Sequence, residues 1–76
     1  MTYDLAWKIV LREARAFLIR YLNIDLEKED YETRVTEELE IVEFDNDTIL
    51  LEDDYGRIIE HSYNAEDWQV DGMWLY

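Results

Sequence analysis

Between Tyr3 and Leu22 apolar residues return with the period of an α-helix. At about 100° per residue Ala6, Trp7, Val10, Leu11, Ala14, Phe17, Leu18 and Tyr21 fall on one broad face. The pattern predicts a helix over residues 3–22 with that face toward the core. Thr2 is placed to cap it, Asp4 lies in the first turn where the helix dipole favours an anion, and Asn23 suits the left-handed residue that ends a helix. Leu5, Ile9, Ala16 and Ile19 fall elsewhere on the wheel, beside Arg12. Read as exposed, they form a stripe for self-association in a homodimer built on helix pairing.

The period then changes. Residues 24–34 are a charged connector without Gly or Pro, with room for a short helical turn, and from Val35 onward the texture reads as strand. Leu39–Phe44, Thr48–Glu52 and Arg57–Tyr63 are β-rich runs separated by Asp45-Asn46-Asp47 and by Asp53-Asp54-Tyr55-Gly56. Both separators have hairpin chemistry, with Gly56 fit for a left-handed position. A shift of apolar phase between Ile41 and Val42 predicts a bulge. Asn64–Asp67 reads as a turn or one helical turn, and Asp71-Gly72 as the two-residue loop of a last hairpin. The expectation is one α+β domain over residues 1–76. A single N-terminal helix packs on a small twisted antiparallel sheet of four to five strands, a meander with a C-terminal hairpin. A half-open SH3-like or Sm-like barrel is the nearby alternative.

Charge changes this picture most. Residues 1–22 hold four bases and two acids, whereas residues 23–76 hold three bases and 18 acids, so the second part carries −15 of a net −13. Such a field repels nucleic acid and anionic membrane, and attracts basic surfaces across a Debye length of about 8–10 Å. At 76 residues the chain is near the lower limit for a self-supporting core, and it has no cysteine for a disulfide or zinc staple. Three Trp, six Tyr and two Phe make it too aromatic for a disordered acidic tail. Charges interrupt the apolar stretch Leu5–Leu22, which reads as neither a transmembrane helix nor a signal peptide. Lack of cysteine fits a reducing cytoplasm.

The sequence carries no constellation for catalysis or for binding a metal. Asp45-Asn46-Asp47 begins like a calcium loop, but Ile49 occupies the next ligand position and the glycine is missing. His61 and Ser62 are neighbours on a strand and point to opposite faces, so they form no nucleophile–base pair. Gly56 and Gly72 are the sole glycines, which leaves no phosphate-cradling loop. The reading is non-enzymatic, without cofactor or metal. Fourteen acids within residues 25–54 are instead spaced along strands and turns. Carboxylates in rows can stand in for phosphates, whereas a solvated surface is the plain reading of the same run. The partner-binding residues expected are Glu38, Glu40, Glu43, Asp45, Asp47, Glu52, Asp53 and Asp54, with Trp74 and Tyr76 as aromatic anchors.

Small size, strong acidity, absence of cysteine and the helix-plus-sheet pattern resemble a group of phage and mobile-element proteins. These block restriction enzymes, uracil-DNA glycosylase or CRISPR effectors by mimicking nucleic acid. The stretch Ala65-Glu66-Asp67-Trp68-Gln69-Val70 is similar to acidic Asp-Trp endings of small phage proteins. The resemblance implies a non-enzymatic inhibitor that covers a basic nucleic-acid-binding protein in the host cytoplasm, without itself touching nucleic acid or membrane. Antitoxin and immunity proteins, which cover nucleases, share this composition. A regulatory module acting through hydrophobic helix pairing is the reading from another class.

Overall fold

The computed structural model describes residues 2–70 and 73–74 and is α+β. Where one N-terminal helix was expected, α1 (Tyr3–Glu13) and α2 (Arg15–Tyr21) meet at Ala14, whose ψ of 14° is not helical. No proline or glycine breaks the chain there. The Leu11 carbonyl, which in an unbroken helix accepts from the amide four residues on, accepts the hydroxyl of buried Tyr31 at 2.8 Å. A side chain inserted into the helical ladder is a recognised cause of a kink. Both termini behave as the sequence predicts: Thr2 Oγ1 accepts the Leu5 amide at 3.2 Å, and Asn23 adopts φ 54°.

The kink also corrects the expected core face. On one straight helix Leu5 and Leu18 lie about 140° apart, too far to share a stripe. Two short helices each choose their own face, so α1 buries Leu5, Ala6, Ile9 and Val10, and α2 buries Leu18. Leu5 and Ile9, expected on the surface, are 1% and 0% exposed. Ile19 packs against the core, leaving only Ala16 and Arg12 of the proposed self-association stripe exposed. Phe17, expected inside, is 45% exposed and stacks on Tyr21.

A second correction concerns residues 31–38, which form helix α3 (Tyr31–Glu38) rather than the end of a connector and the start of a strand. Asp30 caps it by accepting the Thr33 amide at 3.1 Å, and Tyr31 and Val35 bury one side at i, i+4 spacing. Arg34 binds Glu38 at 2.6 Å, pairs with Glu29 and donates to the Leu22 carbonyl at 3.0 Å. It thereby ties α3 to the end of α2.

Strands β1 (Glu40–Phe44), β2 (Thr48–Glu52) and β3 (Ile58–Ser62) form an antiparallel meander. The β1–β2 register shifts between Ile41 and Glu43, where the sequence predicts a bulge. After a 3-10 turn at Ala65–Trp68, β4 (Gln69–Val70) pairs with β5 (Met73–Trp74) as a separate two-stranded sheet. Five described strands thus fall into two sheets. The Val70–Met73 pair brackets Asp71-Gly72, which lies outside the described residues, as do Tyr76 and the side chain of Trp74. Ile41, Ile49 and Leu51 face the helices and close the core together with Val35, Leu39, Tyr63 and Trp68. Among the described residues every buried side-chain nitrogen and oxygen has a hydrogen-bond partner.

Candidate functional site

A meander places the start of its first strand beside the end of its second. Here that brings Glu40 directly opposite Glu52. The C-terminus of α3 supplies Glu37 and Glu38, and the β2–β3 turn supplies Asp53 and Asp54. These six carboxylates line one cleft of about 520 Å³, with Tyr3, Trp7, Thr36 and Leu39 completing its wall. Tyr3 and Trp7 meet edge to face, their ring centres 6.4 Å apart.

The acids in this group are not equivalent. Asp53 is buried and holds the turn: Tyr21 donates its hydroxyl to one oxygen at 2.5 Å, and the amides of Tyr55 and Arg57 both donate to the other at 2.9 Å. The Arg57 guanidinium adds an ion pair at 3.0 Å. The Tyr21 hydroxyl above all, and then the two amides, stabilise the charged carboxylate and lower its pKa to about 2. Gly56 completes the turn at φ +79°, a conformation that disfavours any side chain. Asp53, expected to contact a partner, is a structural residue. Glu38 is held by Arg34. Glu37, Glu40, Glu52 and Asp54 have no ion pair among the described residues. Glu37 was not singled out from sequence, where it was placed on a strand face opposite Glu38 and Glu40 and not beside them at a helix end.

Asp45 and Asp47 lie in the β1–β2 turn at the opposite end of the sheet and Glu43 stands in its middle row opposite Leu50, so the eight expected acids do not form one cluster. Asp45 is occupied: its carboxylate accepts the amides of Asp47 and Thr48 at 3.0 and 2.9 Å, which lowers its pKa and shapes the β1–β2 turn. This local capping explains why Asp45-Asn46-Asp47 resembles the opening of a calcium loop. Asp47 and Glu43 are exposed. Among the described residues no group of three His, Asp or Glu side chains is arranged to hold a metal ion.

One face of the three-stranded sheet lies against the helices and the other is open. The open face carries Glu40, Glu43, Thr48, Leu50, Glu52, Ile58, Glu60 and Ser62 by strand alternation and register. Of the other aromatics, Tyr31, Tyr63 and Trp68 are buried, whereas Tyr55 is 83% exposed at the tip of the β2–β3 turn under the Arg57 guanidinium. His61 faces the helices rather than Ser62. Its Nε2 lies 2.9 Å from Glu13, whose other oxygen accepts the Trp68 indole N–H at 2.6 Å. That carboxylate ties α1 to β3 and to the chain beyond it, a long-range contact with no local signature in the sequence.

No family model matches this chain, and no curated protein or solved structure does so either. Among the described residues no helix is long and apolar enough to cross a membrane.

Proposed function

We propose that this protein is a non-enzymatic inhibitor that docks its acidic surface on a basic, nucleic-acid-binding protein and occludes it by charge mimicry, as phage anti-defence proteins do. The observation that carries the reading is the uncompensated pair of Glu40 and Glu52. These like charges stand directly opposite across β1 and β2, with Glu37 and Asp54 nearby and no ion pair to neutralise them among the described residues. Like charges in cross-strand pairs destabilise a sheet, so folding alone gives no reason to place them there. Two bases of the acidic part, Arg34 and Arg57, are taken up in ion pairs with Glu29, Glu38 and Asp53, which leaves the remaining cleft carboxylates unpaired among the described residues. Lys and Arg of a partner would meet these carboxylates through charge-assisted hydrogen bonds, and the field would accelerate encounter. Such a protein acts in the host cytoplasm, binds no nucleic acid and needs no cofactor.

Affinity capture from host lysate in the presence and absence of competing duplex DNA tests this. The expected result is a nucleic-acid-binding protein that is retained by the native chain, displaced by DNA, and lost when Glu40, Glu52 and Asp54 are replaced by Lys. Capture that DNA leaves undiminished, or direct binding of the chain to duplex DNA in a low-salt gel shift, overturns it.

A further inference from the structure

The open face of the three-stranded sheet carries more than charge. Across its middle row the register places Glu43, Leu50 and Glu60 side by side on β1, β2 and β3, and the next row reads Glu40, Glu52, Ile58. Ile58 is 55% exposed, Leu50 is half-buried, and Val42, the extra residue of the bulge, is 47% exposed. The sheet contributes no base to this face, and Glu40, Glu43, Glu52 and Glu60 have no ion pair among the described residues. A solubilising surface needs carboxylates but has no use for aliphatic side chains interleaved with them. Solubility alone leaves Leu50 and Ile58 unexplained.

We infer that this face is the docking surface for a basic amphipathic helix of the target protein, whose Lys or Arg side chains engage Glu43 and Glu60 while an apolar side chain between them covers Leu50. The inference rests on the inhibitor reading and adds to it the chemistry of the partner segment. Charge complementarity selects a cationic occupant, and the apolar row selects one with an aliphatic stripe. Spacing selects the helix. Neighbouring strands lie about 4.8 Å apart, so residues on β1 and β3 in one row are about 10 Å apart with β2 midway. A helix presents residues i and i+7 about 10.5 Å apart along one side, with i+3 or i+4 between them. Cation, aliphatic, cation at that spacing matches carboxylate, Leu50, carboxylate. Recognition through i, i+3 or i+4, and i+7 anchors is a common mode for amphipathic helices.

The test uses two synthetic helical peptides of equal charge. One carries Arg at i and i+7 with Leu at i+3 and i+4, and in the other Ser replaces Leu. Titration by calorimetry against the native chain should show at least tenfold tighter binding of the Leu peptide. Amide chemical-shift changes should fall on residues 42–43, 48–52 and 58–62. Leu50→Ser with Ile58→Ser should bring the Leu peptide down to the Ser peptide's affinity. Glu43→Gln with Glu60→Gln, near-isosteric changes on the open face, should weaken both peptides at least fivefold, and Glu66→Gln should change neither.

Equal affinity for the two peptides overturns the inference, as do shift changes confined to the cleft around Glu37 and Asp54. The two proposals fail separately. If a DNA-displaceable partner is captured as well by the Leu50 and Glu43 variants as by the native chain, the inhibitor reading stands and the sheet-face inference falls. If no such partner is captured although the Leu peptide binds the sheet, the inhibitor reading falls.

Discussion

At the scale of single residues, Asp53 shows how one carboxylate among many takes a structural role. Its neighbours Asp54 and Glu52 have the same chemistry, but only Asp53 sits where the Tyr21 hydroxyl and two amides of a tight turn converge. Its pKa is lowered to about 2 against an ordinary value near 3.9. A depressed carboxylate pKa means that the folded state favours the charged form. The resulting stabilisation is complete above about pH 4 and is lost as pH falls toward 2. Tyr21→Phe removes the largest cause of the shift. Thermal unfolding at pH 7 should drop by about 5 °C in that variant. The difference from the native chain should narrow as pH falls below about 4 and close only below about pH 2, where Asp53 is protonated in both. A constant difference across that range would show that Tyr21 acts through packing alone.

At the scale of elements, the kink between α1 and α2 decides which residues are core. Tyr31 supplies the inserted hydroxyl, its ring lies in the core, and the Arg15 guanidinium sits 4.7 Å above it. Tyr31→Phe keeps the ring and removes the hydrogen bond, leaving the Leu11 carbonyl without that donor. The expected loss is about 1 kcal/mol of unfolding free energy in urea denaturation. Helical exchange protection should fall first around residues 11–15. Val35→Ala on the buried side of α3 removes apolar volume from the centre of the core. It should cost about 2 kcal/mol, more than the loss of the Tyr31 hydroxyl. The legibility of these elements in the sequence was uneven. The Thr2 cap, the Asn23 terminus and the Gly56 turn could be read because each is a local backbone requirement. Helix α3 was missed although Asp30 and the Tyr31, Val35 spacing were visible, since eight residues with three β-branched side chains carry only a weak periodic signal.

At the scale of the whole molecule, burial of Leu5 and Ile9 removes the stripe on which a helix-paired dimer would rest. With a net charge of −13 opposing close approach of two copies, sedimentation equilibrium at tens of micromolar should give a 9.3 kDa species. The same repulsion acts within one chain. Screening it by raising NaCl from about 10 to 300 mM, where the Debye length falls to several Å, should raise the melting temperature by several degrees. A melting temperature independent of salt would show that the carboxylates are spaced widely enough to ignore one another, against the Glu40–Glu52 pairing.

What the sequence by itself determined is the content of local chemistry and composition: an α+β chain, its hairpin turns and bulge, and an acidic field concentrated after residue 22. These follow from nearest-neighbour backbone preferences and from counting charges, neither of which requires knowing what packs against what. Only the tertiary structure decided which carboxylates act together. Glu40 meets Glu52 because a meander returns β2 antiparallel to β1, whereas Asp45 and Asp47 are carried to the far end by the same geometry. It also decided that Leu5 and Ile9 are core, since a tyrosine 20 residues further along the chain from Leu11 bends the helix and rotates its buried face. Side-chain direction on a helix depends on phase, and that phase was reset by a contact distant in sequence.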